Sequence, residues 1–120
     1  MDNIRVSNPD RLRRNDCDRM HIEDYRLEEV LLPAAVRRKG RKAIHVVIRG
    51  RNFRATAQPI MAFVGELPVK FLRISPDERS VEGVLLEEPQ AHAAVTVIHG
   101  DQDAVRHPTL LDPANIKRIA

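Results

Sequence analysis

The chain has 120 residues, a length that fits one domain with an arm at one end. A single cysteine, Cys17, excludes an intramolecular disulfide, and no window carries the roughly 18 apolar residues that span a bilayer. The N-terminus lacks the apolar run of a secretory signal, so we expect a cytoplasmic protein. With 20 basic and 17 acidic side chains, the composition is typical of a solvated surface rather than of a nucleic-acid footprint.

Residues 1–24 are dense in Asp, Arg and Asn, and their apolar residues are too few to form a stripe. We predict that this segment is a charged arm, either disordered or ordered only against a partner.

From Tyr25 the chain changes to short β-like runs separated by turn residues. No long amphipathic helix lies between these runs, which argues against parallel βαβ units and favours an antiparallel sandwich over residues 25–112. A short tail follows at 113–120. The predicted strands, about seven in number, are Leu27–Leu32, Ala43–Arg49, Ile60–Val64, Val69–Ile74, Val81–Leu86, Ala93–Ile98 and Ala104–Leu111.

The stretch AIHVVIRGRNF, residues 43–53, contains the clearest strand pattern. Ile44, Val46 and Ile48 alternate with His45, Val47 and Arg49, which predicts a central strand with one face in the core. At the turn that follows, we expect a positive φ at Gly50, tolerance of left-handed geometry at Asn52, and Phe53 folded back as a core plug.

With these strands laid out, residues 29–112 resemble the IPT/TIG domain family, the immunoglobulin-like fold shared by plexins and transcription factors. The resemblance lies in an ordered series of short motifs. Its elements are Val30-Leu31-Leu32-Pro33, Gly40, Ile44–Ile48, Gly50-Arg51-Asn52-Phe53, Phe63-Val64-Gly65, Pro68-Val69, Arg79–Leu86, a strand with Val95 and Val97 between Ala94 and Ile98, and Ala104-Val105. The resemblance implies an immunoglobulin-like (E-set) antiparallel β-sandwich. The loop before Ile44 departs from the family because it is basic rather than Gly-rich, and Glu87–Gln90 is unusually acidic.

Catalytic patterns are weak. The serines lack a G-x-S-x-G setting, no glycine-rich phosphate loop is present, and acidic neighbours of Cys17 disfavour a thiolate. Glu87 and Glu88 are adjacent and would point to opposite faces of an extended chain, which does not suit a paired acid and base. We therefore expect no enzyme activity and no cofactor.

Three histidines, His92, His99 and His107, lie on or beside the last predicted strands. In a hairpin, His99 and His107 would approach each other, and Asp101 or Asp103 would add an oxygen ligand for zinc or nickel. However, no short H-x-x-x-H or C-x-x-C spacing is present, which favours solvated or capping histidines over a metal site.

The most distinctive surface feature is the basic cluster Arg37, Arg38, Lys39, Arg41 and Lys42, which surrounds Gly40. Five cations would suit the phosphates of a nucleic acid or another acidic partner, and transcription-factor members of the family bind DNA through loops of such domains. The alternative is a solvated loop that keeps a β-protein soluble. No aromatic residue is interleaved to stack on bases, which disfavours single-strand binding.

Two functions follow from these patterns. The first is a non-catalytic protein-interaction or structural module that acts through sandwich edges, end loops and the arm, with a protein partner or a second copy. The second is a nucleic-acid-associated protein that uses the loop at 37–42. Carbohydrate binding has less support, because the chain has no Trp and one Tyr. We expect no membrane partner and no small-molecule substrate.

Overall fold

A computed structural model describes residues 19–33, 41–54, 59–100 and 103–119, and within these ranges the chain forms two four-stranded sheets. Sheet 1 has the order β1-β2-β6-β5, and sheet 2 has the order β4-β3-β7-β8. The strands are β1 (His21–Leu32), β2 (Arg41–Arg51), β3 (Ile60–Val64), β4 (Leu67–Pro68), β5 (Lys70–Ile74), β6 (Ser80–Leu85), β7 (Val95–His99) and β8 (Asp103–Arg106).

All pairings between these strands are antiparallel, and the two sheets enclose an aliphatic core. The predicted all-β antiparallel sandwich is therefore confirmed. No helix long and apolar enough to cross a membrane occurs among the described residues.

β2 is an interior strand of sheet 1, paired with β1 on one side and β6 on the other. Ile44, Val46 and Ile48 are at most 4% exposed, whereas Arg49 faces solvent, as the alternation predicts. Phe53 follows the strand and is fully buried.

The chain changes sheets between β4 and β5. Leu67 and Pro68 pair with β3 in sheet 2, and after Val69 the chain pairs with β6 in sheet 1. Val69 is buried at this crossing, and its N–H donates to the carbonyl of Ala62. Gly83 accommodates the crossing, because a Cβ there would lie 2.5 Å from the carbonyl oxygen of Lys70.

The C-terminal segment closes the opposite side of the sandwich, between β8 and β1. Asp112 caps a 3₁₀ turn at Pro113–Asn115, and Leu111 and Ile116 are buried in the core. Lys117 forms a parallel bridge with Glu28 of β1. Residues 113–119 of the predicted tail thus pack against the sandwich.

Three local predictions differ from the structure. β1 begins at His21, well before Leu27, because Met20 and Ile22 are core residues. β8 ends at Arg106 rather than at Leu111, because the ladder with β7 is interrupted after His107 and resumes only at Leu111, which donates to the carbonyl of Ala93. The expected positive φ at Gly50 is wrong: Gly50 lies within β2, and the left-handed residue is Asn52, with a φ of 66°.

Candidate interaction surface

The alternation of β3 and β7, the two interior strands of sheet 2, decides which of its side chains face outward. Ala62 and Val64 in β3 and Val95 and Val97 in β7 are at most 2% exposed and point into the core. The residues between them point away from it. The cross-strand pairs extend these outward positions to the edge strands and form two rows. The first row consists of Pro68, Phe63, Thr96 and Arg106, and the second consists of Met61, Ile98 and Ala104. We call these seven positions the outer face of sheet 2.

The outer face of sheet 2 is mostly apolar. Met61 is 43% exposed, and Phe63 and Ile98 are half-buried. Arg106, on the edge strand, is the one ionisable side chain among the seven positions. With about 4.8 Å between neighbouring strands, the four strands spread these side chains over roughly 15 Å. A contiguous apolar patch of this kind is typical of a protein–protein contact.

The outer face of sheet 1 has the opposite chemistry, because its outward side chains form ion pairs. Arg49 of β2 donates from Nε to Asp24 Oδ1 of β1 at 2.8 Å and also pairs through Nη2 with Oδ2. Arg73 of β5 donates to Glu82 of β6 at 2.6 Å, and His45 of β2 lies 3.3 Å from the other oxygen of that carboxylate. Cross-strand ion pairs of this type are ordinary for a solvated sheet.

These contacts shift the carboxylate pKa values in the expected direction. The hydrogen bond from Arg49 lowers the pKa of Asp24, and the hydrogen bond from Arg73 lowers the pKa of Glu82. Charged carboxylates paired across strands keep these side chains of sheet 1 in contact with solvent.

A further ion-pair cluster joins the C-terminal segment to the sandwich. Arg118 donates to both oxygens of Glu88, at 3.0 and 2.6 Å, and to Glu29 of β1 at 3.2 Å. The hydrogen bond from Arg118 lowers the pKa of Glu88. The backbone N–H of Ile119, together with Arg118, lowers that of Glu29. The cluster therefore has a structural role, since it fixes the end of the chain against β1.

The structure describes only part of the basic cluster. Arg37, Arg38 and Lys39 lie outside the described residues, and Arg41 and Lys42 begin β2. Arg41 donates to the carbonyl oxygen of Leu86 at 3.0 Å, and Lys42 lies 3.9 Å from a carboxylate oxygen of Glu29. Both described cations are thus directed to groups of the protein itself.

The three histidines do not converge. The β7–β8 register sets His99 opposite Asp103, whereas His107 donates its backbone N–H to Val95 at the other end of the hairpin. The expectation that His99 and His107 approach each other is therefore wrong. In the ranges described here, no three His, Cys, Asp or Glu side chains form a set that could hold a metal ion.

His107 instead packs against β1. Its ring lies edge-on to Tyr25, with ring centroids 5.3 Å apart. Its Nδ1 accepts the backbone N–H of Thr109 at 3.1 Å, so Nε2 carries the proton and donates to the carbonyl of Glu23 at 3.1 Å. Tyr25 in turn donates to the carbonyl of Thr109 at 2.9 Å. These contacts hold the chain where it crosses from sheet 2 to sheet 1.

The residues predicted as structural have clear places in the fold. Val64 ends β3, and Gly65 follows in a turn with a φ of 63°. The outer face of sheet 2 was not predicted, although β3 carries a signal for it: IMAFV is apolar at every position rather than at alternate ones. Such a run indicates a strand with apolar side chains on both faces.

Comparison of the chain with protein-family models, with curated proteins and with solved structures finds no match.

Proposed function

We propose that this chain is a non-catalytic interaction module whose outer face of sheet 2 docks against a protein partner. The observation that carries the proposal is a chemical difference between the two sheets: ion pairs link the strands across the outer face of sheet 1, and apolar side chains dominate that of sheet 2. A sandwich needs one apolar face per sheet for its core, and a second apolar face gains free energy only when something covers it.

The partner that fits this face is a different protein with an apolar surface and a carboxylate placed to meet Arg106. Arg106 lies at the β8 edge of the face, level with Thr96, and is exposed. Two copies packed face to face would present no carboxylate to Arg106, because none of the seven positions is acidic. Charge complementarity therefore favours an acidic, apolar partner over self-packing through this face.

The non-catalytic part of the proposal is supported by the side chains of one cleft. This open cleft of about 430 Å³ is lined by Val64–Leu67 and by residues between Glu87 and Ala93. Its lining includes three carboxylates and His92 but no hydroxyl, thiol or amine side chain. One of its carboxylates, Glu88, is bound by Arg118.

We also propose that the sandwich is of the immunoglobulin-like E-set type and is related to IPT/TIG domains. The order of its strands, the buried Phe53 after Gly-Arg-Asn, and the change of sheet after Pro68 support this relationship. The proposal of an interaction module does not depend on it.

The test is affinity capture from the native extract with tagged wild-type chain, with Met61→Glu, and with Val47→Glu as a matched control. Met61 is on the outer face of sheet 2, and Val47 points outward from sheet 1, where it is paired with Arg26 and Glu82. We expect a protein that wild type and Val47→Glu retain and that Met61→Glu loses. With that protein purified, Met61→Glu should weaken binding at least tenfold, about 1.4 kcal/mol.

Far-ultraviolet circular dichroism and urea unfolding of both variants establish that the fold is intact. Capture that is equal for the wild type and Met61→Glu, or lost equally in both variants, would contradict docking through sheet 2. Capture of no Met61-dependent protein would contradict it as well.

A further inference from the structure

Four strands form the edges of the two sheets, and three of these edges are blocked within the described part of the chain. The C-terminal segment covers the middle of the β1 edge, because the N–H of Glu29 donates to the carbonyl of Lys117 at 2.7 Å and the N–H of Lys117 donates to the carbonyl of Leu27 at 3.1 Å. The β4 edge has two residues, one of which is Pro68. The β5 edge is bulged, with Phe71 at a φ of 56°. These devices prevent the addition of another strand.

Among the described residues, no covering segment, proline or bulge blocks the β8 edge. The N–H of His107 donates to the carbonyl of Val95, and because hydrogen-bonded and non-hydrogen-bonded pairs alternate, Val105 also bonds toward β7. Ala104 and Arg106 therefore direct their backbone N–H and C=O groups away from the sheet. Both residues are exposed. The edge is short, but it offers two donors and two acceptors in regular β geometry.

We propose that the β8 edge pairs with the β8 edge of a second copy, antiparallel about a two-fold axis at Val105. In this register Ala104 of each copy lies opposite Arg106 of the other, and the outward backbone groups form four hydrogen bonds. The small Ala104 side chain leaves room for the long Arg106 side chain beside it.

The charge on Arg106 disfavours one alternative register. A shift that sets Arg106 opposite the same residue of the second copy would place like charges in direct cross-strand contact, which is unfavourable. The proposed register, with its axis at Val105, avoids that contact. It places Val105 of one copy opposite Val105 of the other, on the core side of the sheet. The edge is therefore complementary to itself, as an isologous interface requires.

Pairing at β8 would join the two copies of sheet 2 into one continuous eight-stranded sheet, with the two outer faces side by side. The dimer does not rest on the proposed function, since it uses backbone groups and leaves Met61 and Phe63 exposed. Because an edge of four residues buries little area, we expect weak association, and sedimentation velocity should be followed up to about 1 mM chain.

The test compares the wild type with Ala104→Pro and Ala104→Thr. Proline removes an N–H that points away from the sheet, a position that tolerates proline in a folded edge strand, whereas threonine keeps the N–H and favours β structure. We expect wild type and Ala104→Thr to dimerise with the same constant, and Ala104→Pro to dimerise at least tenfold more weakly. Met61→Glu should dimerise as wild type does, which separates this proposal from the function proposed above.

A second measurement on unaltered protein covers the case in which Ala104→Pro does not fold. Hydrogen exchange at the amides of Ala104 and Arg106 should slow as the protein concentration rises, and exchange at Val105 should not change. If the wild type stays monomeric over the whole concentration range, the dimer proposal is wrong. This holds even if a strand of another protein adds to β8. Equal dimerisation of folded Ala104→Pro overturns it too.

Discussion

Gly50 is required because of a close backbone approach, and the substitutions Gly50→Ala and Gly50→Asn test this directly. A Cβ at Gly50 would overlap the carbonyl oxygen of His21 in β1 and lie 2.9 Å from Cζ of Phe53. The Phe53 ring is fully buried and has little freedom to move. The strand that must yield is therefore the beginning of β1, where Ile22 is paired with Gly50.

The cost of that displacement follows from what the beginning of β1 buries. Met20 and Ile22 are 6% and 3% exposed, and full burial of such a side chain contributes about 1.5–3 kcal/mol. Complete loss of both burials would cost about 3–6 kcal/mol, and loss of most of this contribution about 3–4 kcal/mol. The gain from replacing glycine in a strand, roughly 0.5–1 kcal/mol, does not compensate. For a domain of this size, a loss of 3–4 kcal/mol is a large part of a total near 5–15 kcal/mol.

Gly65 supplies the matched control because its requirement is conformational. It has a φ of 63°, and a Cβ there would lie 3.1 Å from the Cβ of Ala93. A non-glycine residue in the left-handed region costs about 1–2 kcal/mol, and asparagine tolerates that region better than alanine. At Gly65, asparagine should therefore be less harmful than alanine. At Gly50, asparagine should be at least as harmful, because any Cβ meets His21.

The assay is urea unfolding of the four variants followed by circular dichroism, with the free energy of unfolding taken from midpoints at similar m-values. A loss below about 1 kcal/mol for Gly50→Ala would refute the close-approach argument. A Gly50→Asn variant clearly more stable than Gly50→Ala would point to a conformational requirement instead.

Two further predictions concern the C-terminal segment. Arg118→Ala removes the guanidinium that lowers the pKa of Glu88 and Glu29. Carboxylates with lowered pKa stabilise the fold above their ordinary value of 4.5, and this contribution disappears as the pH falls through the folded pKa. The unfolding free energy of Arg118→Ala should thus be lower than that of the wild type at neutral pH and converge with it once the pH falls below the lowered pKa values of these carboxylates, and a pH-independent difference would count against the ion-pair cluster. Ile116→Ala should cost about 2–5 kcal/mol in urea unfolding, because Ile116 is 4% exposed, whereas Ile119→Ala, at a 42% exposed position, should change stability by less than about 0.5 kcal/mol. Equal effects of the two isoleucine substitutions would show that the segment is not packed on the core.

Local patterns in the sequence were sufficient to predict the strands of the sandwich interior. Ile44, Val46 and Ile48 alternate with a period of two, and this period alone assigns one face of β2 to the core. Pro33 fixes the end of β1, since Leu32 is its last residue. The turn residue Asn52 has the left-handed geometry that its side chain tolerates.

The sequence patterns did not decide which sheet each strand joins. The sequence predicts one strand at Val69–Ile74 and no separate strand before it, but Leu67 and Pro68 form a short strand of sheet 2 and the chain changes sheets at Val69. Likewise the strand that begins with Ala104 ends at Arg106, and Leu111, predicted as its last residue, instead pairs with Ala93 beyond the start of β7. Such choices depend on contacts between residues that are distant in the sequence.

The candidate interaction surface also required the tertiary structure. The apolar run of β3 indicates two apolar faces, yet only the arrangement of the sheets shows that Met61 and Phe63 point outward while Ala62 and Val64 fill the core. The role of Gly50 also required the tertiary structure. Its sequence context suggests a turn, whereas the structure shows a close approach to the backbone of His21.

The sequence by itself thus determined the all-β class, the antiparallel sandwich and the interior of β2, because these depend on periodicity and turn residues that act locally. Only the tertiary structure decided the sheet assignment, the reason for Gly50, the burial of Ile116 and the open edge at Ala104. Each of these depends on which backbone lies beside the residue, and that neighbour comes from a remote part of the chain.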